Sequence, residues 1–201
     1  MSDGVVLAAV ERLSRQYPRL CIQILLDGTI ELCDALRERR VDLGFVRMSG
    51  PVPPDDMDQE VLFEDTLVVI AGVRSLWARR RKIKLADLMG ESWTWSSPGT
   101  MFDKLVIDAF RAEGLTPPRA SIYAESTTMK IKLAATGRYL AVVPASILKY
   151  TASRGLVKML SVKLPTTYQP SGLITLKNRV LTPPAQLFMQ CARETAKSID
   201  G

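Results

Sequence analysis

Two short turns, Gly28-Thr29 and Gly99-Thr100, have residue types and positions suited to binding an anion. Each turn follows an apolar run and opens an amphipathic segment. Ligands of open α/β sheets sit outside the carboxyl ends of the strands, where such turns lie. The helices that begin there point unpaired N–H groups toward the ligand, which suits negative charge. The pattern therefore predicts two small α/β lobes whose turns face each other across a ligand cleft.

Residue types that perform catalysis or bind metals are sparse in this chain. Its 201 residues include no histidine, so the usual general base at neutral pH is missing. Cys21, Cys33 and Cys191 are widely spaced, form no CxxC pair and have apolar neighbours, which predicts that all three are buried. No nucleophile–base pair and no cluster of metal ligands stands out in the sequence. We therefore expect no catalytic residue, no metal ion and no cofactor.

Composition and charge predict a soluble globular protein. The hydrophobic content of 47% is ordinary, and no apolar stretch approaches the roughly 18 residues that span a bilayer. The first four residues lack the basic-then-apolar pattern of a secretory signal, so we expect a cytoplasmic location and no membrane contact. The net charge of +6 owes much to a basic run at residues 79–84. Such a run without aromatic residues is more often a solvated loop than a nucleic-acid contact.

Hydrophobic periodicity predicts that helices and strands alternate. The predicted helices cover residues 5–17, 30–40, 100–113, 126–135, 144–151 and 182–197, with a helical turn at 85–88. The predicted strands cover residues 20–26, 41–47, 61–63, 66–71, 92–95, 120–125, 139–143, 156–164 and 172–177. Thr100 is a predicted helix N-cap, and the segment Ser126-Thr127-Thr128 is predicted to cap the next helix. Gly114 and Gly137 are predicted helix stops. Short connections in this order favour a mostly parallel sheet covered by helices.

Four phrases, in this order and spacing, resemble the effector-binding domain of LysR-type bacterial transcriptional regulators. They are "YPRLCIQILLDGTIELCDALRERRVDLGFV", "LFEDTLVVIAG", "KIKLADLMGESWTW" and "ESTTMKIKLAATGRYLAVVPASIL". The resemblance covers nearly the whole chain. The phrase "WTWSSPGTMFDKLVIDAFRAEGLTPP" is similar to the branch of the family associated with sugar and aromatic-acid metabolism.

The resemblance implies an α/β fold of two Rossmann-like lobes, like type 2 periplasmic binding proteins, with the effector held between them. The first lobe would comprise residues 1–70 and 172–201, and the second residues 71–171. Such domains usually form dimers, and full-length regulators form tetramers that bind DNA through an N-terminal winged helix-turn-helix, which this chain lacks. Family domains also open with a strand before the helix that matches residues 5–17. We expect that strand, and part of the first effector loop, to be absent here.

The resemblance also assigns ligand-binding positions one by one. Thr29 matches a family position that contacts effector carboxylates, and a plain helix N-cap is its alternative interpretation. The other candidates are Ser96, Ser97, Pro98, Gly99 and Thr100 in the second lobe's effector loop, Ser126 and Thr127 at the next helix, and Arg47 at the end of a strand. Simple turns and caps are the alternatives for the loop and helix positions, and a solvated arginine is the alternative for Arg47. Trp93 and Trp95 are expected to pack in the core.

Two binding functions fit these features better than an enzyme does. The first is an effector-sensing regulatory domain that binds a small anionic metabolite, an organic or sugar acid, and thereby modulates DNA binding and transcription. The alternative is a solute-binding protein of a transport system, which would use the same two lobes. The missing secretory pattern and the regulator-like phrase "GRYLAVVPASIL" argue against transport. An enzyme ranks third.

Overall fold

A computed structural model describes residues 3–26, 28–48, 54–150 and 155–197. The predicted end of the helix at residues 144–151 lies outside the described residues. The chain forms two compact units. Unit 1 comprises Met1–Asp65 and Gln169–Gly201, and unit 2 comprises Thr66–Tyr168.

The helices and strands follow the predicted order closely. The helices are α1 (Asp3–Gln16), α2 (Thr29–Arg37), α3 (Met101–Ala112), α4 (Thr127–Ala135), α5 (Ala145–Tyr150) and α6 (Pro183–Lys197). The strands are β1 (Gly44–Arg47), β2 (Met57–Asp65), β3 (Leu67–Gly72), β4 (Trp93–Trp95), β5 (Ile122–Tyr123), β6 (Leu140–Pro144), β7 (Val157–Met159) and β8 (Gln169–Leu176). Two 3-10 turns cover Leu76–Arg79 and Leu85–Leu88. No helix in these described ranges is long and apolar enough to cross a membrane.

Unit 1 is built on a three-stranded antiparallel sheet in the order β1-β8-β2. The apolar faces of α1 and α6 meet over Leu173 of β8, because Ala9 and Leu13 recur at helical spacing and pack against Cys191 and Ala192. On α2, the buried Cys33 and Leu36 belong to a second apolar cluster that includes side chains of β1, β2 and β8. All three helices of unit 1 therefore pack against its sheet.

The predicted buried strand at residues 20–26 is wrong. The segment is irregular, and it pairs with no strand within the described ranges of the chain. Ile24 and Leu26 are 55% and 68% exposed. Cys21 is exposed as well, which corrects the prediction that all three cysteines are buried, whereas Cys33 and Cys191 are buried as expected. An apolar run becomes a buried strand only where a neighbouring strand supplies hydrogen bonds and another layer covers its side chains.

Unit 2 contains a five-stranded sheet in the order β5-β4-β6-β3-β7. Alternate residues of β3 and β6 enter two different apolar clusters, one containing side chains of α3 and the other side chains of α4 and α5. The first cluster holds a group of three aromatic rings. Phe110 packs against Trp93 and Trp95 with ring centroids 5.7 and 5.8 Å apart. The expected packing role of both tryptophans is confirmed, since they are 0% and 5% exposed.

The prediction of mostly parallel strands is also wrong. Among the described strands, β4 pairs in parallel with β5 and with β6, and all other pairings are antiparallel. Parallel neighbours need a long crossover connection, which α3 and α4 provide for β4, β5 and β6. Strands β3 and β8 instead pair with strands from distant parts of the chain, and nothing local in the sequence sets their direction.

Candidate functional site

The loop Ser96–Thr100 links β4 to α3 in unit 2. Hydrogen bonds within the loop and with the first turn of α3 hold its conformation. The Thr100 hydroxyl donates to the Ser97 carbonyl at 2.8 Å and accepts from the Asp103 N–H at 3.2 Å. The Asp103 carboxylate in turn accepts from the Gly99 N–H at 2.8 Å, and Gly99 takes the left-handed φ of +83° that favours glycine. The predicted N-cap at Thr100 is therefore confirmed.

A second anchor ties this loop to the start of α4. The Glu125 carboxylate accepts a hydrogen bond from the Ser97 N–H at 2.6 Å. Side-chain and backbone hydrogen bonds from Ser97, with a smaller contribution from the charge of Lys130, lower the pKa of Glu125 against the opposing effect of burial. A carboxylate that accepts such bonds is held in its ionised form. The loop is thereby fixed at both Ser97 and Gly99.

The N-terminus of α4 carries the predicted pair Ser126 and Thr127. Ser126 is the N-cap, and its hydroxyl accepts from the Met129 N–H at 3.3 Å, as predicted. Thr127 is the first helical residue and is half-buried. The capping interpretation of Ser126 is thus confirmed, and the ligand-binding role of both residues stays a prediction.

A buried lysine contacts the loop from inside the unit. Lys130 on α4 is 3% exposed, and its Nζ donates to the hydroxyl of Ser96, itself 2% exposed, at 2.6 Å. The same ammonium lies 4.4 Å from the ring centroid of Phe102, within cation–π range. The sequence analysis missed Lys130, although one signal was present. Lys130 stands beside Ile131 and four residues before Ala134, on the stripe that α4 buries.

The unit 1 candidates lie on two separate elements. Thr29 is exposed and begins α2, and the N-cap is Gly28, whose backbone is extended and makes no side-chain cap. The alternative interpretation of Thr29 as an N-cap is therefore wrong, because Thr29 is already helical. Arg47 ends β1 opposite Ser171 of β8 and is half-buried. Unit 2 thus brings seven of the nine predicted positions onto one loop and the adjoining turn, and unit 1 carries the other two.

Two further observations concern places away from the predicted ligand-binding residues. No group of three or more cysteine, aspartate or glutamate side chains is arranged there to hold a metal ion. Two surface depressions of unit 1 lie along α6 and are lined by residues such as Tyr17, Leu187 and Gln190. None of the predicted ligand-binding residues lines either depression.

Comparison with known proteins decides the family. The model of the LysR substrate binding domain matches residues 1–197. This chain belongs to that family. The HTH-type transcriptional regulator GbpR of Azospirillum brasilense is 24% identical over 190 residues, which cover 94% of this chain and 56% of GbpR. CysL of Bacillus subtilis is 24% identical over 69% of this chain and 45% of its own length. The LysR domain described here spans about half the length of these relatives.

Solved LysR structures share its fold. The effector binding domain of QuiR in complex with shikimate superposes with a TM-score of 0.68 at 22% identity, covering 96% of this chain and 90% of that one. The effector binding domain of BenM with its effector benzoate gives a TM-score of 0.74 at 21% identity, covering 98% and 88%. The predicted fold class, the two-lobed α/β architecture of LysR effector-binding domains, is confirmed by these likenesses.

Proposed function

We propose that this LysR domain senses a small anionic metabolite, which it binds at the Ser96–Thr100 loop, and thereby modulates DNA binding and transcription by a whole regulator. The observation that carries the proposal is the loop itself. It follows the carboxyl end of β4, where α/β sheets bind ligands. Glu125 and Asp103 hold its backbone in place, and the buried Lys130 lies against its first residue. A loop fixed in this way is preorganised for binding.

The chemistry of this loop favours an acidic effector. Ser96 provides a hydroxyl, and Lys130 provides a positive charge in a part of the unit that excludes water. Shikimate and benzoate, the compounds bound by the QuiR and BenM domains, are both carboxylates. Organic and sugar acids are therefore the effector class that we propose for this chain. Thr29 and Arg47 of unit 1 remain predicted contacts.

Regulation would follow from linkage between effector binding and conformation. An effector shifts the regulator toward the arrangement that it binds more tightly, and the same free energy changes the affinity for DNA. We propose that the domain forms a dimer, that the full-length protein is a cytoplasmic tetramer, and that an N-terminal winged helix-turn-helix binds DNA. The proposal includes no catalytic step. The transport alternative is not favoured, since the relatives are named as transcriptional regulators.

A thermal-shift screen tests this function. The panel contains sodium salts of organic and sugar acids, including shikimate and benzoate, together with neutral sugars and amides. A compound present at about 100 times its dissociation constant adds about 2.7 kcal/mol to the stability of the folded chain. We expect one acid to raise the melting temperature by several degrees in the wild type and in the control Ser161→Ala, whose hydroxyl bonds to Arg81 away from the loop.

The same screen on Ser96→Ala completes the test. The proposal predicts that this variant folds and loses most of the shift produced by the stabilising acid. Absence of stabilisation by every compound in the panel would count against an effector-sensing role. A shift that is unchanged in Ser96→Ala would place the effector away from this loop.

A further inference from the structure

Lys130 is a charged side chain in a place where charge is costly. Its ammonium is almost completely removed from water, and a buried ammonium destabilises a fold unless hydrogen bonds and opposite charge compensate it. The aliphatic part of the side chain lies on the buried stripe of α4, and the ammonium meets the Phe102 ring and the Ser96 hydroxyl. A methionine would fill a similar volume against Phe102 without burying a charge. Packing alone therefore does not require a lysine.

The hydrogen bond between Lys130 and Ser96 has a defined direction. An ammonium group has donors and no acceptor, so the Ser96 oxygen must accept from Lys130. The hydroxyl proton of Ser96 then points to a different partner. Among the contacts of the described residues, no acceptor receives that proton. A hydroxyl whose oxygen accepts from a cation is also polarised, which makes it a stronger donor.

Solvent lies close to this buried pair. Ser97 is half-buried, and Pro98 and Gly99 are exposed. The Glu125 carboxylate is held by the Ser97 N–H, and its charge also interacts with that of Lys130. A ligand oxygen that contacts Ser96 would accept a hydrogen bond from its hydroxyl, whose own oxygen accepts from the Lys130 ammonium.

We propose that Lys130 is a positioning residue that holds Ser96 as a hydrogen-bond donor, so that unit 2 selects effectors that present an anionic oxygen, a carboxylate or a phosphate, at the end of β4. This inference rests on the proposed function, since it specifies which ligand group that loop accepts. Neutral sugars and amides offer weaker acceptors to the same donor and gain nothing from the ammonium. The selectivity therefore resides in one buried pair of side chains.

Small anions test the inference without knowledge of the natural effector. The isotope-labelled 201-residue chain is titrated with sodium acetate and, separately, with sodium phosphate, with sodium chloride keeping the ionic strength constant. Nuclear magnetic resonance follows the Ser96 amide and the Lys130 side-chain carbon next to Nζ. We expect saturable shifts with acetate, with phosphate or with both, and the two titrations tell which oxyanion fits. Chloride alone should give no saturable shift.

Four variants separate positioning from packing. Ser96→Ala and Lys130→Met should each weaken anion binding by about tenfold or more, the effect of losing a hydrogen bond to a charged group. Lys130→Arg should restore part of the binding, because the guanidinium returns a positive charge and hydrogen-bond donors to this position. The matched control Lys132→Met removes an exposed lysine of the same helix and should bind like the wild type. The melting temperature of each variant without ligand shows which of them keep the fold.

Each outcome bears on the inference. Wild-type shifts no larger than those from chloride, or undiminished binding by Lys130→Met, would overturn it. If Lys130→Met fails to fold, Ser96→Ala removes the same hydrogen bond with the ammonium left in place, and undiminished binding by that variant is the overturning result. If a neutral compound stabilises the wild type but not Ser96→Ala, and no anion binds, the inference about Lys130 is wrong. The role of the loop in effector binding is then still supported. Anion binding as expected, with no stabilising metabolite in the screen, would support the role of Lys130 and Ser96 in binding an anion and would count against effector sensing.

Discussion

The carboxylate of Glu125 accepts a hydrogen bond from the backbone N–H of Ser97 at 2.6 Å, although the two residues are 28 positions apart in the chain. This bond joins the loop after β4 to the residue that precedes the N-cap of α4. The predicted ligand-binding positions of unit 2 therefore form one connected structure, and its stability and its binding properties can be tested separately.

The Glu125 bond predicts a specific dependence of stability on pH. Its hydrogen bonds with Ser97 lower the pKa of Glu125 below the ordinary value of 4.5. A carboxyl group whose pKa is lower in the folded state stabilises the fold above its unfolded pKa, and this stabilisation is lost as the pH falls through the folded value. Urea unfolding should show that Glu125→Gln is less stable than the wild type at pH 7. The difference in free energy of unfolding between the two proteins should become smaller below about pH 4.5. The gap should be modest because Glu125 is exposed.

An exposed glutamate in the same unit serves as the control. Glu113→Gln removes another surface carboxylate, at the end of α3, and tests whether the loss of any one negative charge gives the same effect. A gap between wild type and Glu125→Gln that stayed constant from pH 7 to pH 3 would contradict the assigned role of the carboxylate.

The two threonines predicted as effector contacts should differ in their effect on stability. Thr100→Val removes the hydroxyl that caps α3, and such a loss costs about 1 kcal/mol. Thr29→Val should leave the free energy of unfolding nearly unchanged, because Gly28 and not Thr29 is the N-cap of α2. Urea denaturation of the two variants measures the difference directly. Equal losses in both variants would show that one of the two caps is assigned wrongly.

The three cysteines should react with a thiol reagent in two classes. Cys21 is exposed and should react at once in the native chain, whereas Cys33 and Cys191 are buried. Burial also raises the pKa of both buried thiols, which lowers the fraction of reactive thiolate. Timed labelling with mass spectrometry should find one fast site, and Cys21→Ser should remove it. Fast labelling of Cys33 would contradict the packing of α2.

Features that depend on neighbouring residues were predicted well from the sequence. The caps at Thr100 and Ser126 were correct because a cap needs a hydroxyl and a free N–H two or three residues away. The stops at Gly114 and Gly137 were correct because both take a left-handed φ that favours glycine. The four quoted phrases were sufficient to predict the family and its α/β fold.

Features that depend on distant residues were not predicted. The run at residues 20–26 has strand composition, but burial requires a partner strand that composition does not supply. Strand direction in both sheets follows from pairings between remote segments. Lys130 was missed because its role depends on Ser96, 34 positions earlier in the chain. The buried pair of Lys130 and Ser96 could therefore not be deduced from local patterns alone.

The proposed function requires that the effector contacts the loop after β4 through Ser96. Isothermal titration calorimetry of the acid that most stabilises the wild type, repeated on Ser96→Ala, tests it most directly. We predict that the dissociation constant rises by about tenfold or more in the variant, as expected for a lost hydrogen bond to a charged group. Its melting temperature without ligand should fall by a few degrees, because the buried Lys130 ammonium loses one hydrogen-bond acceptor, and the variant should still unfold in one cooperative transition. An equal dissociation constant for the two proteins would contradict the claim.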